Sequence, residues 1–177
     1  MTDSPGSPEA AELEAQPPAE LVHGAPVTYS RGQRVAHPSR EQYRQVAAAL
    51  KDDGYVMCVD VTACDYLTHA GGRSLPEGIA PERFEVVASF VNHRERARIR
   101  LRVQVPEGDS TVDSLWPVHA GVEALEREVF DLFGIVFNDH PDMTRIVMPE
   151  SWIGHPLRKD YAIGAIPVQF KGAPSAR

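Results

Sequence analysis

Between residues 97 and 105 apolar and polar side chains alternate without a break, Ala97, Ile99, Leu101, Val103 and Val105 against Arg98, Arg100, Arg102 and Gln104. Successive side chains of a strand point to opposite faces, so a period of two fits a strand and cannot be sorted onto one side of a 3.6-residue helix. The chain is thereby committed to a sheet with one face covered. Only Asn92 to Arg96 separates this stretch from the apolar run Phe84 to Val91, which predicts an antiparallel hairpin.

The cover for that sheet is readable nearby. Ser39 and Gln42 have capping-box spacing, and Tyr43, Val46, Ala47 and Leu50 follow at helical intervals up to Gly54. Tyr55 to Val61 is short and β-branched and is expected to be a buried strand. A second helix is expected from Pro117 to Phe133, with Val118, Val122, Leu125, Val129 and Leu132 on one face and Gly134 as its terminator. The fold class is α+β, a mainly antiparallel sheet with helices packed on it, followed by an extended C-terminal segment. With 177 residues, 42% of them hydrophobic, the chain has material for one core. Three stretches are expected: a disordered, acidic, Pro-rich tail over 1–26, an α+β domain over 27–134, and an extended, partner-wrapping segment over 135–177.

Five of the seven net negative charges fall in the first 26 residues, so the remainder is nearly neutral. General nucleic-acid binding is disfavoured by that balance. No run is long and apolar enough for a membrane helix, no signal-peptide pattern is present, and any membrane association is expected through partners. The arginines at 94, 96, 98, 100 and 102 read as a basic stripe on one sheet face, either a solvated surface or a dock for an acidic partner. His140, Asp142, His155 and Asp160 lack ligand spacing, and neither a nucleotide-binding glycine loop nor a nucleophile elbow occurs. Two cysteines fall short of the four thiolates of a common iron–sulfur cluster. Glu126 borders the apolar stripe of the second helix, and a carboxylate there needs a cation; Arg145 and Arg158 are the candidates, which would make an ionic latch for the downstream segment.

The stretch Glu126-Arg127-Glu128-Val129-Phe130-Asp131-Leu132-Phe133-Gly134-Ile135, with His140-Pro141-Asp142, Arg145-Ile146 and Gly154-His155-Pro156-Leu157-Arg158-Lys159-Asp160-Tyr161, resembles the signature of the 30 kDa subunit family of NADH-quinone oxidoreductase, respiratory complex I. The resemblance covers about residues 112 to 170. It implies a peripheral-arm structural and assembly subunit that carries no flavin, cluster, metal or catalytic residue of its own. Such a subunit packs against other peripheral-arm subunits, above all the large quinone-site one, at the cytoplasmic side of the cell membrane, and supports electron transfer from NADH to quinone by a proton-translocating enzyme. The matching residues Glu126, Arg127, Glu128, Asp131, His140, Asp142, Arg145, Trp152, His155, Arg158, Lys159, Asp160 and Tyr161 are then expected to be structural or interfacial. Exposed aromatics such as Trp152, Tyr161 and Phe170 would serve as anchors.

Two features depart from the family pattern: Thr144 precedes Arg145 where a second basic residue is common, and the acidic tail is additional. Met148 to Trp152 is similar to cyanobacterial and plastid forms, which leaves the electron donor open. The alternatives are the homologous subunit of a membrane-bound hydrogenase or formate-linked complex, a free-standing metal-dependent hydrolase using His140, Asp142, His155 and Asp160, and a module that binds an acidic partner through the arginine stripe.

Overall fold

The hairpin forms where the alternation demands it. In the computed structural model, which describes residues 20–162, β5 (Phe84–Asn92) and β6 (Ala97–Val105) pair antiparallel from Phe84↔Val105 to Asn92↔Ala97. Asn92 fixes the turn, its side-chain oxygen accepting the Arg94 and Glu95 amides at 3.0 and 3.1 Å. The expected tail through residue 19, and Phe170, lie outside the described residues.

Around the hairpin, β1 (Leu21–Val22), β2 (Ala25–Ser30), β3 (Gln33–Ala36) and β4 (Met57–Asp65) complete a six-stranded sheet of order β1-β2-β3-β6-β5-β4. All neighbours are antiparallel except β3 and β6. Two helices, α1 (Tyr43–Asp52) and α2 (Glu123–Phe133), contribute to the same core as one sheet face, with Tyr43, Leu50, Val129 and Phe133 buried alongside Val86, Phe90, Ile99 and Leu101. A short parallel pair, β7 (Thr111–Asp113) and β8 (Val136–Asn138), flanks them. Ser39 and Gln42 exchange side-chain-to-amide bonds of 3.3 Å, as the capping-box spacing predicts, just ahead of α1. The α+β class and the mainly antiparallel sheet therefore stand.

Several boundaries move. The sheet begins inside the stretch expected to be tail: Val22 is buried, Ala25 fully so, and the Val27 amide donates to the Glu20 carbonyl at 2.9 Å. A two-residue strand is too short to show a period, which is why composition hid it. The boundary expected at 134 also dissolves, because Ile135 and Phe137 are buried and β8 pairs with β7; the irregular path starts at Asp139. The strand expected over 55–61 runs 57–65 instead, at the sheet edge with an irregularity between Cys58 and Asp60, so Met57 and Val59 are exposed. The second helix starts at Glu123; Val118 and His119 turn back onto the Leu115 carbonyl, and Ala120–Val122 forms a single 3-10 turn. Arg94 and Arg96 sit in the hairpin turn, which removes them from the stripe, and Arg102 is spent on buried Glu85 at 2.7 Å.

Candidate functional site

Helix α2 carries two carboxylates at zero exposure, Glu126 and Asp131, and they do different work. Asp131 is the one charged residue between Val129 and Phe133 and meets the chain that returns past α2. Its Oδ2 accepts three consecutive amides, from Ile146, Val147 and Met148, at 3.0, 2.8 and 2.8 Å. Arg145 donates to its Oδ1 at 2.5 Å and also to the Gly154 carbonyl at 2.9 Å. Burial pushes the Asp131 carboxyl up, but the Met148, Val147 and Ile146 amides and Arg145 outweigh it and hold it below the usual range. Four donors converge on one buried anion, so the 145–148 strap has one path over the helix.

The ionic latch expected at Glu126 is thus real in kind and wrong in partner. Arg145 pairs with Asp131, and Arg158 donates from Nε to the Phe133 carbonyl at 2.6 Å while its guanidinium lies 5.1 Å over the Phe84 ring. Glu126 instead accepts the Ser114 hydroxyl at 2.5 Å and the Leu115 amide at 2.7 Å, with His140 Nε2 at 3.9 Å. Burial drives its carboxyl up to about 7 against those bonds. The pairing followed register: Asp131 lies one and a half turns beyond Glu126, where the return strap crosses, and no local pattern marks that crossing.

The remaining predicted residues distribute along the same strap. Arg127 holds its start, donating to the Thr144 hydroxyl at 2.7 Å and carbonyl at 3.1 Å, and lying 3.7 Å from Asp142. Thr144, the departure from the family pattern, is therefore an acceptor. The His140 side chain is buried; its Nδ1 accepts the Asp142 amide at 3.0 Å, which leaves Nε2–H to donate to the Glu123 carbonyl at 3.0 Å. His155 donates from Nδ1 to the Asp131 carbonyl at 2.9 Å. Gly134 is at φ +72°, and a Cβ there would come within 2.6 Å of the His155 ring, so glycine both ends α2 and admits the imidazole. Trp152 and Tyr161 are half-buried, Tyr161 folding over Gly154, while Glu128 is exposed. The large apolar side chains most exposed on the strap are aliphatic: Ile146, Val147, Ile153 and Leu157 are 45%, 55%, 89% and 45% exposed.

A second fastening lies at the strap's end. Asp65 at the end of β4 accepts the Lys159 amide at 2.8 Å, across 94 residues, and Arg83 Nε and Nη2 at 3.1 and 2.9 Å. Arg83 also pairs with Asp160 at 2.8 Å and with Glu107; Asp65 first, then Asp160 and Glu107, raise the Arg83 pKa, and Arg83 in turn lowers that of Asp160. Asp65, Arg83 and Ser114 escaped sequence reasoning because each acts on a distant segment and none sits in a motif. Of the four residues of the hydrolase reading, His140 meets the Glu123 carbonyl and, of Asp142, only the backbone amide, while His155 and Asp160 are bound to the Asp131 carbonyl and to Arg83, and among the described residues no group of three or more His, Cys, Asp or Glu side chains is arranged to hold a metal ion.

A family model described as the 30 kDa subunit of respiratory-chain NADH dehydrogenase matches residues 36–166, which contain α1, α2 and the whole strap through Tyr161. The chain belongs to this family. The corresponding NADH-quinone oxidoreductase subunit from Saccharopolyspora erythraea is 39% identical over 159 residues, covering 88% of the chain and 59% of that protein. The Mycobacterium avium protein of the same name is 40% identical over 150 residues, covering 83% and 60%. The chain thus spans about three fifths of the length of these relatives. Among solved structures, a trypsin-resistant fragment of Nqo5 is 34% identical, with a TM-score of 0.60 over 68% of this chain and 90% of that one. A chain of an archaeal membrane-bound sulfane sulfur reductase also scores 0.60, at 17% identity, which speaks to the fold alone. Among the described residues of this family member, no helix is long and apolar enough to cross a membrane.

Proposed function

We propose that the chain is a structural and assembly subunit in the peripheral arm of a proton-translocating NADH-quinone oxidoreductase, at the cytoplasmic side of the cell membrane. It supports electron transfer to quinone without a redox centre of its own and packs against the large quinone-site subunit. The observation that carries this reading is the strap. Asp131 and Asp65 commit buried charge and five directional bonds to residues 145–159, yet Ile146, Val147, Ile153 and Leu157 in that stretch are exposed. A fold that needed those side chains for its own core would bury them; a rigidly held, outward apolar ridge suits a partner surface. Two cysteines are too few for a common cluster, which supports the absence of a redox centre. The archaeal relative shares the fold at low identity, so fold by itself does not choose between NADH-linked and other respiratory complexes; the 34–40% identities favour the first.

The test is purification of the tagged chain from native membranes with identification of the co-purifying subunits. The expected result is a stoichiometric large quinone-site subunit, NADH-dependent quinone reduction by the assembly, and no visible absorbance from the chain isolated alone. A chain recovered as a free protein with its own hydrolytic or redox activity would overturn the proposal.

A further inference from the structure

The arginines of the described residues fall into two groups. Most are committed, to carboxylates as Arg40, Arg83 and Arg145 are, or to uncharged acceptors, as Arg100 is to the Gln33 side chain at 2.7 Å and Arg158 to the Phe133 carbonyl. Four are exposed, with side chains in neither an ion pair nor a hydrogen bond among the described residues: Arg31, Arg94, Arg96 and Arg98. These four stand together. Strands β3 and β6 run parallel with Arg34 opposite Ile99, so the β2–β3 turn that carries Arg31 and the β5–β6 turn that carries Arg94 and Arg96 lie side by side at one end of the sheet. Arg98 is the second residue of β6, and Glu95 is the only acid in the two turns.

The chain ahead of Glu20 is aimed at the same end. Leu21 and Val22 pair with Pro26 and Ala25, and the Val27 amide donates to the Glu20 carbonyl at 2.9 Å, so backward from Val22 the chain advances along β2 toward Ser30 and Arg31. Glu20 already makes the kind of contact such an approach invites: its carboxylate lies 3.2 Å from Arg34 and accepts the Tyr29 hydroxyl at 2.5 Å. Residues 1–19 lie outside the described ones and hold Asp3, Glu9, Glu12 and Glu14 with no lysine, arginine or histidine. Pro17 and Pro18 lack the N–H groups with which β1 could be prolonged. Six residues span at most about 20 Å when extended, and β2 and β6 are two strand spacings apart, about 10 Å. Glu14 can therefore reach any of the four arginines.

We propose that this basic end of the sheet is covered by the chain's own acidic segment, residues 1–19, with Glu9, Glu12 and Glu14 set against Arg31, Arg94, Arg96 and Arg98. A single exposed pair contributes little and is screened by salt, but several carboxylates on one short tether meet four guanidinium groups at high effective concentration. The planar fork of each arginine suits a carboxylate arriving from any of several positions along the segment. The consequence is a basic patch answered from within the chain, so that a foreign polyanion has to displace residues 1–19 before it can bind there. Both partners belong to this chain, and the contact does not depend on the assembly reading.

The test neutralises the segment in the full chain, Glu9→Gln/Glu12→Gln/Glu14→Gln, beside a control that loses the same charge from exposed positions elsewhere, Glu77→Gln/Glu128→Gln/Glu150→Gln. Amide resonances of Arg31, Gly32 and Arg94–Arg98 are followed at low and at high salt. The expected result is that the first variant moves them at low salt, that the difference from the parent vanishes at high salt, and that the control leaves them in place. No movement, or equal movement in the control, overturns the proposal. On immobilised heparin the first variant should elute at a higher salt concentration than the control, because the arginines are uncovered; equal elution overturns it, since net charge alone would then account for retention. Finally, p-benzoylphenylalanine replaces Leu13 in the purified full chain and the crosslinked peptide is sequenced. A crosslink to residues 31–34 or 93–98 of the same chain supports the proposal, whereas crosslinks confined to other residues, or joining two copies of the chain, overturn it.

Discussion

The sheet and the strap are held by opposite means. In the β5–β6 hairpin the inward residues Phe84, Val86, Ala88, Phe90, Ile99, Leu101, Val103 and Val105 are at most 1% exposed, and the hairpin's place is set by apolar burial. From Asp139 to Tyr161 there is neither helix nor strand, Ile146, Val147, Ile153 and Leu157 face solvent, and the path is set by Asp131, Asp65, Arg127, Arg145 and Arg83. Apolar burial is non-directional and easily satisfied in many registers, whereas a buried carboxylate with four converging donors tolerates only one. The difference teaches where this chain invests specificity: stability resides in the sheet, and shape at the outer surface is dictated by charge.

If that division holds, a core truncation should reach both regions and a charge deletion only one. Leu101→Ala, fully buried at the centre of the sheet, is expected to cost about 2–5 kcal/mol of global stability, read as a lower denaturant midpoint with unchanged slope. Asp131→Ala leaves Arg145 and three amides unpaired, a local cost of roughly 3 kcal/mol by analogy with broken buried pairs. Its signature should be fast hydrogen exchange at Ile146–Met148 with β5 and β6 still protected. Equal loss of protection in both regions would merge strap and sheet into one cooperative unit and erase the comparison.

The two regions were also unequally legible. A period of two marks a strand directly, and Ser39, Gln42 and Gly134 announce helix ends, because these signals lie within a few residues of what they govern. Glu126, Asp131, Arg145 and Arg158 were all present in the quoted signature, yet which carboxylate meets which arginine was not, since that depends on where the returning chain crosses α2. Asp65 and Arg83 carry no local signal whatever. Sequence periodicity reports burial; it does not report which donor a carboxylate meets 14 to 94 residues away.

The pH response sharpens the same contrast. Glu126 titrates near 7 when folded and near 4.5 when unfolded, so between those values the folded chain holds the extra proton and stability falls as pH rises. The full difference is on the order of 3 kcal/mol at about 1.36 kcal/mol per pKa unit. His37 works the other way: about 4 when folded and 6.5 when unfolded, its contribution is whole above 6.5 and is lost as pH falls toward 4. Asp131 is held below 3.8, so the strap keeps its bonds until pH drops beneath the ordinary carboxylate range. Unfolding measured from pH 4 to 8 should therefore gain stability with rising pH in Glu126→Gln relative to the parent. Identical pH profiles for the two proteins would show that Ser114 and Leu115 compensate the burial of Glu126 completely.

The smallest expected effect on folding is the most informative about the outer surface. Ile153 is 89% exposed on the strap, between Trp152 and Gly154, whose carbonyl Arg145 holds. Ile153→Ser removes a side chain that touches almost nothing in this chain, so its denaturant midpoint should move by no more than about 0.5 kcal/mol. If the strap presents an apolar ridge to a partner, the same substitution should lower the yield of assembled complex several-fold while the free chain stays folded, since a desolvated anchor can carry about 1 kcal/mol or more of a protein contact. A paired measurement of midpoint and assembly yield separates the alternatives. Loss of stability would mean that Ile153 serves the fold itself, and full assembly would leave the ridge solvent-facing, removing the chief argument for a partner on this side. Pairing it with Asp131→Ala discriminates further: if the carboxylate matters only because it fixes the ridge, the double variant should assemble no worse than Asp131→Ala alone.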